Sequence, residues 1–478
     1  MIGQIARNDW RNLRADRTLW AVGIVLAFTI GYGVHNGASW VRFQRGTLQA
    51  AFAEETQRLD EIRRGIEDAD SGRTKPPSFR DPRSPFSVGY NMAGRYVYMP
   101  PAPLSALAVG QSDLLPYYYK VSMRSRDTIL GNDEVENPVH LLAGRFDLAF
   151  VLIYLYPLLI LALSYNLISG EKEDGTLAMT LAQPVGVRTL AVGKIGLRGF
   201  FVLTLATGIS LAGFLFTGTN LTAPGVLPRF LLWTLVVAAY GAFWFAAAIA
   251  VNAFGKPSST NALALAGLWL GFVLLVPSVL NVVVKAAHPV PSRVDMIQAM
   301  RVASEDATRE RSKLMAKYLE DHPELVGTSQ DTMAQLAIRN VAIMDETERR
   351  VQPLLAEFDE QVARQQALVD RYRYLSPAIL VQSALYDLAG TSTYRYQHFL
   401  RLTEGFHRQW REHFYPLMLK SVKLSPASVD RFPRFEFQEE ALSSIVGRVA
   451  ACTAGLVALT VLAAAIAFRL LRRYPLAG

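Results

Sequence analysis

Apolar residues along this chain gather into long runs at residues 18–32, 148–168, 195–216, 230–251, 261–284 and 445–471, and highly charged stretches lie between them. A helix that crosses a bilayer needs about 20 mostly apolar residues, because its backbone groups must be satisfied without water. The last five runs reach that length. The first is shorter, glycine-rich near its end, and open at both boundaries. The pattern predicts an α-helical integral membrane protein with six crossings. Two soluble excursions interrupt it, at 35–145 and 285–442, leaving a block of four crossings at 146–284 and a last one at 443–478.

The excursions differ in texture. The first opens on an amphiphilic stretch at 48–66, with Glu54, Glu55, Arg58, Asp60 and Arg64 on polar positions, which predicts a helix. Pro76, Pro77, Pro82, Pro85, Pro100, Pro101 and Pro103 then favour turns and extended chain. The aromatic cluster 117–119 reads as a packing or interface element. The second excursion predicts helices at 296–319, 331–372 and 393–413, with Pro353 bending or dividing the middle one. No heptad repeat is sustained there. The excursions therefore read as mixed or mainly helical domains.

The formal charge of +8 raises the question of nucleic acid, but the basic residues flank apolar runs, so no nucleic-acid partner is expected. Arg7, Arg11, Arg14 and Arg17 precede the first run, which reads as a retained signal anchor within segment 1–34. Arg469, Arg472 and Arg473 follow the last. Lys172, Arg188, Lys194 and Arg198 lie around the second loop, and Lys256 lies in the short fourth loop. With six crossings these flanks agree on one topology. Both termini face the cytoplasm and both excursions lie outside, as in a bacterial inner membrane. Pro157 and Pro277 fall inside crossings, where a missing donor kinks a helix, and are candidate gating or kink positions. Small residues such as Ala246, Ala247, Ala248, Ala264 and Gly267 permit close helix packing.

Candidate chemistry is sparse. The only cysteine, Cys452, lies in an apolar run, so no intrachain disulfide forms. Of the seven histidines, none has zinc-ligand spacing, and no metal site is expected. No Gly-x-x-x-x-Gly-Lys-Ser/Thr loop or Gly-x-Ser-x-Gly elbow occurs, and no carboxylate pair stands out. The chain does not read as an enzyme. If it works actively, ATP hydrolysis resides on another chain.

The most informative segment follows the second run and reads Ile168-Ser169-Gly170-Glu171-Lys172-Glu173-Asp174-Gly175-Thr176-Leu177, continuing through Pro184 to Arg188. Acids beside a helix end hydrate and cap a turn. A short interfacial helix there also presents charge to a soluble partner. On Glu171, Glu173, Gly175, Thr176 and Leu177, with Pro184, Arg188 and Lys194 behind them, the sequence resembles the type-2 ABC exporter permease family. The resemblance implies a six-helix bundle whose coupling loop, here 169–194, engages separate ATP-binding subunits that carry ATP and Mg. Carried onto this chain, Glu171 and Glu173 become the coupling surface, Gly175 and Thr176 shape its turn, and Leu177 anchors it. A second permease copy or related chain completes the assembly.

A further likeness, to large members with two extracytoplasmic insertions, rests on Ser376-Pro377-Ala378, on Tyr386-Asp387-Leu388-Ala389-Gly390-Thr391, and on Tyr394, Tyr396, His398 and Phe399. Pro377 fixes a turn, Asp387 caps a helix or meets a partner, and Gly390 ends or redirects a helix. The expected role is the permease of an ATP-driven exporter. An ATP-driven mechanotransmission or envelope-assembly subunit, acting on an envelope protein, and a membrane-anchored sensor are the alternatives. The substrate is not legible.

Overall fold

The computed structural model describes the chain apart from residues 1–2, 4, 6, 8, 12–16, 111, 124–145, 184–185, 219–220, 291–292, 324–331, 421 and 475–478. Arg14, His140 and Pro184 therefore lie outside the described residues. The chain is a largely helical, multi-span membrane protein. Among the described residues, five helices are long and apolar enough to cross a bilayer: Arg17–Asp70, Val187–Phe216, Val226–Asn252, Ser258–Ala287 and Leu442–Leu471. A shorter apolar helix, Leu148–Ala162, packs among them.

Helix α1, Arg17–Asp70, differs most from its expectation. The expected helices at 18–32 and 48–66 are one 54-residue element. At about 1.5 Å per residue it is roughly 80 Å long, far more than a bilayer requires. No proline interrupts it, and its buried stripe continues from Leu19, Leu26 and Ile30 to Leu48, Ile62 and Ile66. The glycines that suggested an end serve close packing instead. A Cβ on Gly37 would stand 2.0 Å from the Ala106 carbonyl oxygen, and one on Gly33 would stand 2.8 Å from the Asp147 backbone. Side chains there would push the first excursion off the bundle.

The second run forms α2, Leu148–Ala162, and not a continuous crossing to 168. Asp147 sets its start. One carboxylate oxygen accepts from the Phe150 amide at 2.7 Å, and the other accepts from Val109 at 2.8 Å and Gly110 at 3.2 Å. The helix ends at Ala162, and residues 163–168 continue as turns. Their polar backbone is claimed by neighbouring side chains, described below.

Pro157 and Pro277 both follow a π-helical turn, at Val151–Leu155 and Leu270–Leu275. A proline ring crowds the preceding turn and supplies no N–H, so widening the helix relieves the clash and leaves carbonyls without their usual donor. Other helices supply those donors. The Tyr240 hydroxyl donates to the Ile153 carbonyl at 2.9 Å, and the Trp269 indole donates to Tyr154 at 3.1 Å. At the second break, the Ser376 hydroxyl donates to the Phe272 carbonyl at 2.6 Å.

After α2 come two short helices, α3 Ser169–Glu173 and α4 Thr176–Leu181, then α5 Val187–Phe216, α6 Val226–Asn252 and α7 Ser258–Ala287. Helix α6 is the most enclosed of the long apolar helices, with Trp233, Tyr240, Trp244 and Ala248 buried against its neighbours. Small residues, including Ala246, Ala247 and Ala248, let the other helices approach it.

The soluble region is mixed. Strands β1, Arg95–Tyr98, and β2, Tyr118–Val121, pair antiparallel with Arg95 opposite Val121. After α7 come α8 Arg293–Arg309, α9 Arg311–Asp321, α10 Thr332–Tyr372 and, after a tight turn, α11 Pro377–Ala389. Helix α10 runs through Pro353 undivided. Helix α12, Thr393–Leu419, joins the outer half of α1 and the hairpin in one core around Phe399, Phe406, Trp410 and Phe414. Residues 117–119 pack in that core. Tyr119 stacks on Phe399 with ring centroids 5.9 Å apart, and its hydroxyl lies 2.9 Å from that of Tyr396. The last helix, α13 Leu442–Leu471, returns through the bundle against α6 and α11.

The proline breaks generate a prediction. Tyr240→Phe and Ser376→Ala each leave a buried carbonyl without a donor, at a cost of about 1–3 kcal/mol. Ser376→Ala also removes a helix cap. Thermal unfolding of the purified variants checks this, and midpoints equal to that of the wild type would reject it.

Candidate coupling site

The loop after α2 is built around backbone groups that no helix satisfies. Residues 163–168 expose carbonyls at Leu163, Ser164 and Leu167 and an amide at Ile168. Arg198 of α5 donates to Leu163, and Lys194 of α5 donates to Leu167 at 3.0 Å. Asn252, at the end of α6, donates to the Ser164 carbonyl at 3.0 Å and accepts from the Ile168 amide at 3.2 Å. Asn261 of α7 donates to Ser169 Oγ at 3.2 Å. Asn252 and Asn261 are buried, as are Lys194 and Arg198. Non-helical backbone at this depth persists where protein groups replace the missing helix bonds.

Both cations are compensated. Arg198 forms a two-pronged pair with the Asp9 carboxylate, at 3.0 and 2.8 Å, tying the N-terminal segment to α5. Lys194 pairs with Glu171 at 2.6 Å, with only 9% and 20% of the two side chains exposed. Glu171 is thereby bound to the helix that follows its own loop.

Glu173 points the other way. Its carboxylate accepts from the Ser258 amide at 2.6 Å and from the Ser258 hydroxyl at 2.8 Å, capping the first turn of α7. A carboxylate at a helix N-terminus satisfies orphan amides and meets the positive end of the helix dipole. These bonds hold the Glu173 carboxyl below its usual range, the backbone donor contributing most. Ser169 Oγ lies 2.8 Å from Ser258 Oγ and closes the ring between α3 and α7.

Gly175, at φ +72°, separates α3 from α4 in the left-handed region that glycine enters without penalty. Thr176 Oγ1 donates back across the turn to the Glu171 carbonyl at 3.2 Å. Leu177 is buried in a cluster with Leu167, Ile168, Leu190, Ile249 and Ala467. Arg188 donates to the Phe468 carbonyl of α13 at 3.1 Å. Asp174 and Ala178 remain exposed, as does Met179 at 74%. The loop is thus bound to α5, α6, α7 and α13 from within and presents a small mixed surface outward.

The other sequence motif forms a junction on the opposite side of the bundle. Ser376 caps α11 by accepting from the Ala378 and Ile379 amides, at 3.2 and 3.4 Å, while it donates to Phe272. Pro377 occupies the first helical position, where no donor is missed. Gly390, at φ +72°, ends α11. Buried Asp387 accepts from Arg448 of α13 at 3.0 Å, and the same guanidinium holds Glu440 at 2.7 and 2.8 Å. That contact keeps the Glu440 carboxyl below its ordinary value. Arg395 continues the network to Glu439 and to the Gly390 and Pro100 carbonyls. The structure thus brings Ser376, at the start of α11, to the Pro277 break, and places Asp387 and Gly390 at the other end of α11 with Arg448 and Arg395.

Sequence reasoning singled out the loop acids but not Asn252, Asn261, Ser258 or Asp9. Asn252 and Asn261 carried a readable signal, since polar residues at the ends of apolar runs mark buried partners. Asp9 and Ser258 carried none. Among the described residues, no group of three His, Cys, Asp or Glu side chains is assembled to hold a metal, and Cys452 is buried.

A multi-span helical membrane protein with a mixed, mainly helical soluble region is the class of protein this architecture defines. Comparison with known proteins agrees at a coarse level. The chain is distantly homologous to ABC transporter permease proteins. It is 34% identical over 129 residues to a probable ABC transporter permease protein, NosY, of Pseudomonas aeruginosa, covering 26% of this chain and 46% of that protein. It is 35% identical over 145 residues to the protein of the same name from Stutzerimonas stutzeri, covering 28% and 50%. The chain spans about half the length of these curated relatives. Residues 293–438 match the family described as Domain of unknown function (DUF3526), which takes in most of the second excursion.

The Glu173 cap gives a second prediction. In a Glu173→Ala and Ser258→Ala cycle, the effects should be less than additive, because both variants remove the hydroxyl–carboxylate bond, while the bond from the residue 258 amide is lost only with Glu173. A lowered carboxyl stabilises the fold above the ordinary glutamate range and loses that contribution as pH falls through the lowered value. The coupling measured at pH 7 should therefore fade as pH falls from the ordinary glutamate range through the lowered value. Additive effects at pH 7 would reject the cap.

Proposed function

We propose that this chain is the membrane permease subunit of an ATP-driven exporter, with ATP and Mg bound on separate ATP-binding subunits. A second permease copy or related chain completes the assembly. The observation that carries the reading is the loop 169–194, whose inner side is bonded to the neighbouring helices and whose outer side shows Asp174, Ala178 and Met179. Distant homology to probable ABC transporter permeases supports it.

In this mechanism the partner presses on the exposed turn. Glu171 passes the displacement to α5 through Lys194, and Glu173 passes it to α7 through Ser258. Gly175 and Thr176 keep the turn in shape, Leu177 anchors it, and Arg188 extends the connection to α13. Helix α7 then carries the motion to its π turn and Pro277, where Ser376 joins it to α11. Pro157 and Pro277 act as compliant points along this route, and Pro377, Asp387 and Gly390 hold its outer end. A ligand on the partner shifts the equilibrium only by binding one of two loop positions more tightly.

The topology has six crossings, with α2 and the turns at 163–168 together forming the second. Both termini lie in the cytoplasm of a bacterial inner membrane and both excursions in the periplasm. A single cysteine at Ser71 should react with an impermeant thiol reagent in intact cells, and one at Asp174 only after permeabilisation. The opposite pattern would overturn the orientation.

Mechanotransmission is the second reading, and a specific observation favours it. Helix α1 continues without a break from the bundle into the soluble core. Movement of the bundle would reach an envelope protein through the excursions without a small molecule crossing.

Replacing both acids, Glu171→Ala with Glu173→Ala, should leave the ATP-binding subunit co-purifying and hydrolysing ATP while ATP no longer changes label accessibility at 285–442. Vectorial transport, assayed with candidate substrates, should fall in parallel. Unchanged ATP-dependent accessibility in an intact complex would reject the coupling role. ATP-dependent accessibility without transport of any tested substrate would favour mechanotransmission.

A further inference from the structure

Where α1 leaves the bundle, it faces the end of α5 across a cavity of about 510 Å³. Val34, Ile209, Ala212, Gly213 and Phe216 make an apolar floor, and Pro103 and Ala106 of the first excursion close one side. His35, Arg42 and Arg45 stand at its rim. With Ala38 they recur at spacings of three and four residues and so share one face of α1. All three rim residues are exposed, and the cavity lining contains no carboxylate. Among the described residues neither arginine forms an ion pair. Arg42 donates to Ser39 Oγ at 3.1 Å.

The depth of this cup follows from helix registry. A Cβ on Gly213 would meet Val34, and one on Gly23 would meet Phe201 and Leu205, so α1 and α5 run parallel in contact. Position 34 is thus level with 213, three residues before α5 ends at Phe216, itself 93% exposed. Arg42 and Arg45 stand roughly 12–16 Å further along α1, past the end of α5, where the apolar slab gives way to headgroups. In the other direction Ile209 also lines a second cavity of about 450 Å³, walled by Leu197, Phe200, Phe201, Leu205 and Gly208. An apolar trough along α5 therefore ends beneath a pair of arginines.

We propose that this trough and cup bind an anionic phospholipid of the surrounding leaflet, with its acyl chains against α5 and its phosphate between Arg42 and Arg45. A free anion would gain nothing from the apolar floor. A neutral lipid would leave two guanidinium groups without a counter-charge. The leaflet supplies a ligand with both features at the required depth. The inference needs only that α1 and α5 span the bilayer, and it stands or falls separately from the proposed transport role.

The test uses the full chain, purified in detergent and stripped of lipid, titrated with phosphatidylglycerol and with phosphatidylcholine of identical acyl chains under native mass spectrometry. The expected result is retention of phosphatidylglycerol with about tenfold preference. Arg42→Gln with Arg45→Gln should abolish the preference, and Arg42→Lys with Arg45→Lys should keep most of it. Ala38→Trp, which fills the cup without altering charge, should weaken binding of both lipids. Equal retention of the two lipids by the wild type would overturn the proposal whatever the variants do. So would competition by glycerol phosphate as effective as that by the lipid, which would indicate a free-phosphate site. Disulfide capture between two copies through a cysteine at Ala38 would assign the face to a protein interface and overturn it equally.

Discussion

Inside a bilayer, a backbone carbonyl without a donor has no water to turn to, and this structure breaks its membrane helices in several places. Each break is matched by a side chain from another helix. Tyr240 and Trp269 serve the carbonyls beside Pro157, and Ser376 serves the one beside Pro277. Asn252, Lys194 and Arg198 serve the turn after α2. These bonds hold particular helices together at particular heights. Apolar packing alone supplies little such registry, since lipid tails are as apolar as leucine.

The same bonds define where the bundle is stiff and where it yields. At the loop, ion pairs and caps join four helices. At the opposite end, Arg448 gathers Asp387 and Glu440, and Arg395 gathers Glu439 with two carbonyls. Between these two clusters, α2 and α7 each carry a widened turn. The bundle is thus tied by charged clusters at its two ends and by single side-chain bonds at the widened turns between them. A buried ion pair of this kind adds less to net stability than to specificity, because desolvation offsets much of its attraction.

Much of the architecture was legible from residues alone. Five of the six apolar runs fall on the long apolar helices, the second ends as a shorter helix, and Pro377 and Gly390 bound α11 as their conformations require. The charge pattern around 169–177 located the loop, but not the fact that Glu171 and Glu173 bond inward. Those contacts join residues far apart in the chain, to Lys194 and Ser258, and no local pattern encodes them. The length of α1 was also hidden. Glycine usually signals weak helix, yet Gly33 sits under the backbone of residue 147 and Gly37 under that of residue 106, and tertiary contact outweighs propensity there. Pro353 gives a similar lesson, since α8 and α9 pack along α10 and hold it continuous.

Helix α1 also shapes the order in which the protein can be made. Its outer half belongs to a core completed by residues near the far end of the chain: Arg63 reaches Asp430, 367 positions later. At about 5–20 residues per second, roughly 20–70 seconds of synthesis separate the two. During that interval Leu48, Ile62 and Ile66 have no access to Phe432 or Val429, the late partners in their core. The soluble core therefore closes late, after the four long apolar helices that precede residue 288 have been made. A chain ending before residue 424 would keep the partners on α12 but lose Leu424, Val429 and Phe432 from that core.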